Sequence, residues 1–191
     1  MSLSPDNAYM DLNTGRSWNF NLNFLEYGLG FGTDKIGLVT GLGLEWNNYH
    51  FDHNNNIIEN DEGRIVEYIP DIVVEGGNLD KSKLQTTYLT MPLLMEFQIP
   101  AGKKRVFING GVIGGVKLNS KTKMVYRESG DKQKDKVKDD FNLSSVRYGF
   151  TVRAGYRALK LHATYYPTSL FEEGKGPELY PFSVGLTVLT L

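Results

Sequence analysis

The sequence has 191 residues, a formal net charge of -1 and no cysteine. The nearly neutral charge gives no electrostatic basis for nucleic-acid binding, and the lack of cysteine excludes disulfides and thiolate metal sites. No apolar run reaches the roughly 18 residues that a transmembrane helix needs. We interpret residues 1–16 as the remnant of an external loop or as an expression scar, and residues 17–191 as a single domain.

Alternation of residue character at period two marks a strand with two different faces. It predicts seven strands and no helix, with the strands at about 17–31, 35–51, 84–99, 105–118, 145–157, 159–166 and 181–190. In the first strand the phase slips by one residue near Phe24 and Leu25, which predicts a β-bulge. In the third strand Pro92 removes a donor from the expected ladder.

The second strand shows the two faces clearly. Its large apolar residues, from Ile36 to Trp46, alternate with small or charged residues such as Gly41, Gly43 and Glu45. In a soluble sheet the apolar face packs on a core, whereas in a membrane barrel it faces lipid and the polar face lines the lumen. Aromatic residues near strand ends, among them Trp18, Trp46 and Tyr49, are expected in interfacial girdles.

The connections between the strands alternate in length. Residues 32–34, 100–104 and 158 form short turns, whereas about 50–83, 119–144 and 167–180 form long polar connections. The mixed-charge stretch within 119–144 predicts a mobile loop. Short turns on one side and long loops on the other are typical of outer-membrane barrels, in which the long loops are extracellular.

The charged face predicts which side of the sheet is the lumen. The aromatic residues of the apolar face are too large to fill an eight-stranded barrel together, whereas glycines give long charged side chains room inside one. The fold is therefore predicted to be an all-β, antiparallel, up-and-down transmembrane barrel. Its inner face should carry a network of ion pairs formed by Glu26, Glu45, Glu96, Arg147, Arg153 and Arg157. A pore lining or a proton path is the alternative role for these six residues.

The number of predicted strands suggests that one strand is missing from this sequence. Bacterial single-chain barrels use an even number of strands, about eight for a chain of this size, and this sequence provides seven. We therefore expect an upstream strand, preceded by a signal peptide, in the natural protein. Without it, the first and last strands leave a gap, pair directly, or accept a strand from another chain.

Several segments resemble outer-membrane β-barrel proteins of the PorT-like family of Bacteroidetes. The resemblance covers most of the chain and rests on residues 11–23, 37–51, 81–98, 110–126, 139–156 and 180–191. It implies an outer-membrane barrel of a Gram-negative bacterium with about eight strands and no assigned activity. Outer-membrane strands commonly end in an aromatic residue, whereas this sequence ends in Leu191.

These observations predict a non-enzymatic outer-membrane protein with an ion-paired, closed lumen and a structural or interaction role at the cell surface. Its expected partners are outer-membrane lipids and other envelope proteins, without a cofactor or a resident metal. One alternative is a soluble lipocalin-like binder of a small ligand. Another is a lipid-modifying enzyme, which would need a Ser/His/acid set built on His50, His53 or His162.

Overall fold

The computed structural model describes residues 9–32, 35–101, 104–128, 130–156 and 159–187. Within them the chain is almost entirely β-structure, with a single four-residue helix, α1, at Asp71–Val74. The strands are β1 Trp18–Gly30, β2 Ile36–His50, β3 Asn56–Glu59, β4 Ile65–Tyr68, β5 Leu79–Ala101, β6 Lys104–Glu128, β7 Asp131–Val137, β8 Val146–Tyr156, β9 Leu159–Tyr165 and β10 Phe182–Thr187. The described part of the chain has no helix with the length and apolarity needed to cross a membrane.

Eight strands form one antiparallel sheet, which confirms the predicted all-β architecture. Seven of them follow the order β1-β2-β5-β6-β8-β9-β10, and β7 pairs with β6 outside this order. Each predicted strand corresponds to one of these seven. No pairing joins β1 to β10 among the described residues, so the ladder is not closed. Seven strands in up-and-down order also make β1 and β10 run in the same direction, so these two strands cannot complete an antiparallel ladder with each other.

The two faces of the sheet have the inverted polarity of a membrane barrel. On the outer face, large apolar side chains such as Tyr148, Phe150 and Phe182 are more than half exposed, at 57%, 53% and 67%. On the inner face, Glu45, Asn109, Arg147 and Thr151 are buried. Apolar groups outside and polar groups inside are what a lipid-facing barrel requires. This arrangement contradicts the lipocalin-like alternative, which needs the aromatic residues in the interior.

Two local irregularities follow from the sequence. The pairing of β1 with β2 shifts between Asn23 and Leu25, which confirms the predicted bulge. At Pro92, which has no backbone N–H, the hydroxyl of Thr40 donates to the Pro92 carbonyl oxygen over 2.9 Å. The pairing of β2 with β5 is interrupted at this position, between the pair Thr40–Leu93 and the pair Gly43–Thr90.

The long connections differ from the predicted loops because they contain ordered β-structure. The connection over about 50–83 contains the β3–β4 hairpin and α1, and β5 already begins at Leu79. The connection over about 119–144 continues β6 to Glu128 and then turns back as β7, instead of forming a loop. Alternation in these segments was hidden by their high charge. Charged residues on both faces resemble a solvated loop when composition alone is considered.

An apolar cluster at the long-loop end of the barrel explains why these connections are ordered. It joins residues from five different segments, which are Met10, Phe51, Ile57, Ile65, Leu84, Phe141, Leu143, Leu170 and Phe171. Residues 9–16, predicted as a loop remnant, contribute Met10 to it, and Leu12 forms a bridge with Phe51. The loop end therefore carries its own small core above the polar lumen.

Candidate functional site

The most buried charged pair crosses the inside of the barrel. Arg147 on β8 places Nη2 at 2.7 Å from Oε1 of Glu45 on β2, and both side chains are at most 4% exposed. Two other strands, β5 and β6, lie between β2 and β8 in the sheet. The pair can therefore form only because the sheet is rolled and both side chains point into its interior.

Two tyrosine rings enclose this ion pair. The guanidinium carbon of Arg147 lies 3.6 Å from the ring centroid of Tyr88 and 3.9 Å from that of Tyr166. The Tyr166 hydroxyl donates to Oε2 of Glu45 over 2.6 Å. The two ring faces cover the guanidinium through cation–π contact, and the side chain of Tyr49 also lies beside it. We call Glu45, Tyr88, Arg147 and Tyr166 the lumen cluster.

Glycines on the inner face make room for the lumen cluster, as the sequence predicted. A Cβ atom at Gly115 would lie 3.3 Å from Cγ and Nε of Arg147. A Cβ atom at Gly149 would lie 2.6 Å from the Tyr166 ring. These positions must remain free of side chains because the arginine and the tyrosine lie flat against the inner wall.

A second charged pair lies deeper in the lumen and is looser. Nη1 of Arg153 is 3.8 Å from Oε2 of Glu26, and the side chains are 18% and 38% exposed. The pair borders a cavity of about 640 Å³. Its lining combines polar residues such as Asn109 and His162 with apolar ones such as Phe107 and Ile113. The cavity extends to both edge strands of the sheet. The open edge between β1 and β10 therefore adjoins this cavity.

The remaining predicted site residues are not part of either pair. Glu96 accepts a hydrogen bond of 2.7 Å from the Gln98 side chain on its own strand and takes part in neither of the two pairs described above. Arg157 lies outside the described residues. The structure thus brings together four of the six predicted residues, as Glu45 with Arg147 and Glu26 with Arg153. The predicted single network is instead two separate pairs.

The sequence analysis missed the tyrosines of the site. Tyr88 and Tyr166 alternate in phase with the polar face of their strands, which was the available signal, but their aromatic character concealed a role in charge binding. Tyr49 was expected in an interfacial girdle, and this expectation is wrong. It pairs with Leu84 on the inner side of the sheet and packs against the apolar cluster.

The histidines do not form a metal centre with neighbouring carboxylates. Across the described ranges, no group of three or more His, Cys, Asp and Glu side chains has the geometry to hold a metal ion. His50 ends β2 at the loop end, and its backbone N–H donates to Ser17 Oγ over 3.0 Å. His162 lines the lumen cavity.

Comparison with known proteins gives one match. No curated protein and no solved structure matches the chain. The model of the outer membrane protein beta-barrel domain family matches residues 5–173, which is most of the sequence. This agrees with the polar interior, the apolar exterior and the antiparallel order of the strands. The chain therefore belongs to the outer membrane protein beta-barrel domain family and is an outer-membrane protein of a Gram-negative bacterium.

Proposed function

We propose that this outer-membrane barrel is non-enzymatic, has a lumen closed by the lumen cluster, and acts as a structural or interaction protein at the cell surface. The observation that carries the proposal is the Glu45–Arg147 pair, fully buried between the rings of Tyr88 and Tyr166. Side chains from opposite walls meet there, so the pair blocks the interior where an open channel would need water.

A structural plug explains the chemistry of the cluster better than a proton path does. Arginine stays protonated in proteins, so Arg147 cannot relay protons by changing its charge. Glu45 is held in place by both the guanidinium of Arg147 and the hydroxyl of Tyr166. Such an arrangement holds two walls of the barrel together and does not cycle between states.

We propose that the protein has no catalytic site because the candidate catalytic groups lie apart from one another. His50 and His53 lie at the loop end, whereas His162 lies in the lumen beside the Arg153 position of the neighbouring strand. The Ser17 hydroxyl accepts a hydrogen bond from the backbone N–H of His50. A nucleophile and its base would need to be within hydrogen-bond reach of each other.

An interaction role at the surface is favoured by the ordered loop end. The apolar cluster fixes the β3–β4 hairpin and the connections around Leu143 and Phe171 above the barrel, which provides a shaped external surface. The segments that resemble PorT-like proteins of Bacteroidetes support placing the chain in that branch. Outer-membrane lipids and other envelope proteins are the partners we propose.

Planar-bilayer recording tests the closed lumen directly. The purified full chain should give no large, stable conductance, because the lumen cluster lies across the interior of the barrel. The variant Tyr166→Ala with Arg147→Ala should produce openings, whereas Lys175→Gln at the loop end should not. A large, stable conductance from the native chain would refute the proposal. Detection of modified lipid after incubation with labelled outer-membrane lipids would refute the non-enzymatic role.

A further inference from the structure

Three adjacent strands extend beyond the barrel and carry lysines at every second position. β5 contributes the sequence KSK at 81–83, β6 contributes KTK at 121–123, and β7 contributes KQKDK at 132–136. The pairing registers place Lys83 opposite Lys123, and Lys123 opposite Lys136. We call the face that carries Lys81, Lys83, Lys121, Lys123, Arg127, Lys132, Lys134 and Lys136 the lysine face.

Charge is segregated between the two sides of this extension. In β7, Lys132, Lys134 and Lys136 alternate with Asp131, Gln133 and Asp135, so the acids point to the other side. The residues on the lysine face are the odd-numbered ones over 81–87 on β5 and 119–127 on β6, and the even-numbered ones over 132–136 on β7. None of these described residues is acidic. Asp80, at the β5 irregularity, is paired with Arg127 at 3.6 Å. A solvated loop would have no reason to separate its charges in this way.

The lysine face continues the outer, lipid-facing side of the barrel. Lys83 has the same phase in β5 as Leu89, and its partner on β2, His50, has the same phase as Trp46. The opposite side carries Leu84 and Met124, which are buried at the loop end. Since the long connections lie at this end, the lysine face is on the extracellular side of the apolar band.

The height of the lysines matches the headgroup layer. Trp46, which contacts Phe20 with ring centroids 5.5 Å apart, pairs with Thr87 on the outer face. Aromatic girdles mark the level where the hydrocarbon ends. Lys83 lies four residues beyond Thr87, or about 13 Å along the strand at about 3.3 Å per residue. The lysines therefore begin where the charged headgroups of the outer leaflet are found.

Like charges placed directly opposite each other in a sheet are destabilising, so the row Lys83, Lys123 and Lys136 needs compensation. Lys83 is buried, and its Nζ donates to Asn48 Oδ1 over 2.6 Å, which compensates part of this repulsion and leaves Lys123 and Lys136 as the accessible cations of the row. Burial, together with the positive charges of Lys136, Lys81, Lys134 and Lys121, lowers the pKa of Lys123. An anion bound across the row would offset this repulsion.

We propose that the lysine face binds the phosphate groups of an anionic lipid in the outer leaflet, such as a phosphorylated glycolipid. The lipid's acyl chains would lie along the apolar outer face below, and its phosphates would bridge lysines of neighbouring strands. The site is on the outside of the barrel, so it does not depend on whether the lumen is closed.

Lipid retention in nanodiscs tests the proposal. The full chain is reconstituted in phosphatidylcholine with either diphosphoryl lipid A or the same lipid without phosphates, and the lipid that remains bound through detergent purification is quantified. The native chain should retain the phosphorylated form at least fivefold better. Inorganic phosphate alone should compete weakly because it has no membrane anchor. Equal retention of the two lipids would overturn the proposal.

Three double variants separate a built site from bulk charge. Lys123→Gln with Lys136→Gln should remove the preference, whereas Lys35→Gln with Lys175→Gln, which removes the same charge elsewhere, should keep it. Lys134→Glu with Asp135→Lys preserves the net charge but moves positive charge to the opposite side, and should also weaken retention. Each variant is first checked for folding by its heat-modifiable migration in gels. Equal loss in the two double Lys→Gln variants, with no loss in the charge-preserving variant, would show that only net charge matters and would overturn the site.

Discussion

Glu45 and Arg147 lie 2.7 Å apart across the interior of the barrel, although the strands that carry them are separated by two others. Their contact shows that the sheet is rolled enough to bring β2 and β8 face to face across its interior. It also sets the polarity of the wall, because every residue in phase with Glu45 on β2 or with Arg147 on β8 faces the lumen.

Removing one partner of this pair should destabilise the protein strongly. Glu45→Gln leaves a buried guanidinium uncompensated, which costs about 3–5 kcal/mol in buried pairs. Glu26→Gln is the matched control, and it should cost less than about 1 kcal/mol because its pair with Arg153 is longer and partly exposed. Urea unfolding in lipid vesicles measures both. Equal losses for the two variants would show that Glu45 is not specifically held.

An arginine should be tolerated far less on the outer face than a polar change on the inner one. Leu93, 47% exposed, lies near the middle of the apolar band, where arginine costs about 2–4 kcal/mol. Thr90→Ser on the inner face keeps the hydroxyl and should be nearly neutral. The free energy of unfolding of Leu93→Arg and Thr90→Ser gives the comparison. Gly43→Ser is a poorer control, since a Cβ there would lie 2.6 Å from the Asn23 side chain.

A methyl group at Gly149 should disturb the lumen cluster. Its Cβ would lie 2.6 Å from both the Tyr165 carbonyl oxygen and the Tyr166 ring, so Gly149→Ala should cost about 1–3 kcal/mol through overpacking. Gly28→Ala serves as control because nothing lies within 4 Å of the corresponding Cβ. Thermal unfolding of the two variants in the same detergent decides the matter, and an unchanged melting temperature for Gly149→Ala would contradict the packing described above.

The edges β1 and β10 should not form a direct disulfide. Cysteines bridge only when their Cα atoms are closer than about 7 Å, as in paired strands. The pair Val184→Cys with Ala163→Cys, which are register partners on β10 and β9, should therefore oxidise readily. Phe20→Cys with Val184→Cys, across the open edge, should not. Rapid oxidation of the second pair would show that seven strands close directly.

The sequence could predict the strands and their faces because apolar and polar residues alternate along each strand. The alternating lengths of the connections also indicated a barrel with its apolar face outside. It could also predict that Glu45 and Arg147 both face the lumen, since each had the phase of the polar face, but not that these two residues pair with each other. It could not predict that Glu96 hydrogen-bonds Gln98 on its own strand, because phase defines a face but not a height along the barrel. For the same reason one network was expected where two separate pairs exist.

The parts that could not be predicted are those in which tertiary packing overrides local character. The rings of Tyr88 and Tyr166 cover the guanidinium of Arg147. Residue type alone would instead place tyrosines at the lipid interface. The β6–β7 extension has the composition of a loop, and only the phase of its lysines marks it as a strand pair. Tyr49 was misplaced because its position near a strand end outweighed its phase.

The inverted polarity of the wall is tested most directly by spin labels placed one at a time along β8, from Val146 to Tyr156, in lipid vesicles. Accessibility to oxygen, which concentrates in the hydrocarbon, should alternate at period two. It should be high at Phe150 and Val152, which are 53% and 54% exposed on the outer face, and low at Thr151, which is buried in the lumen. High oxygen accessibility at Thr151 with low values at Phe150 and Val152 would mean that the barrel is inside out, and would contradict the account.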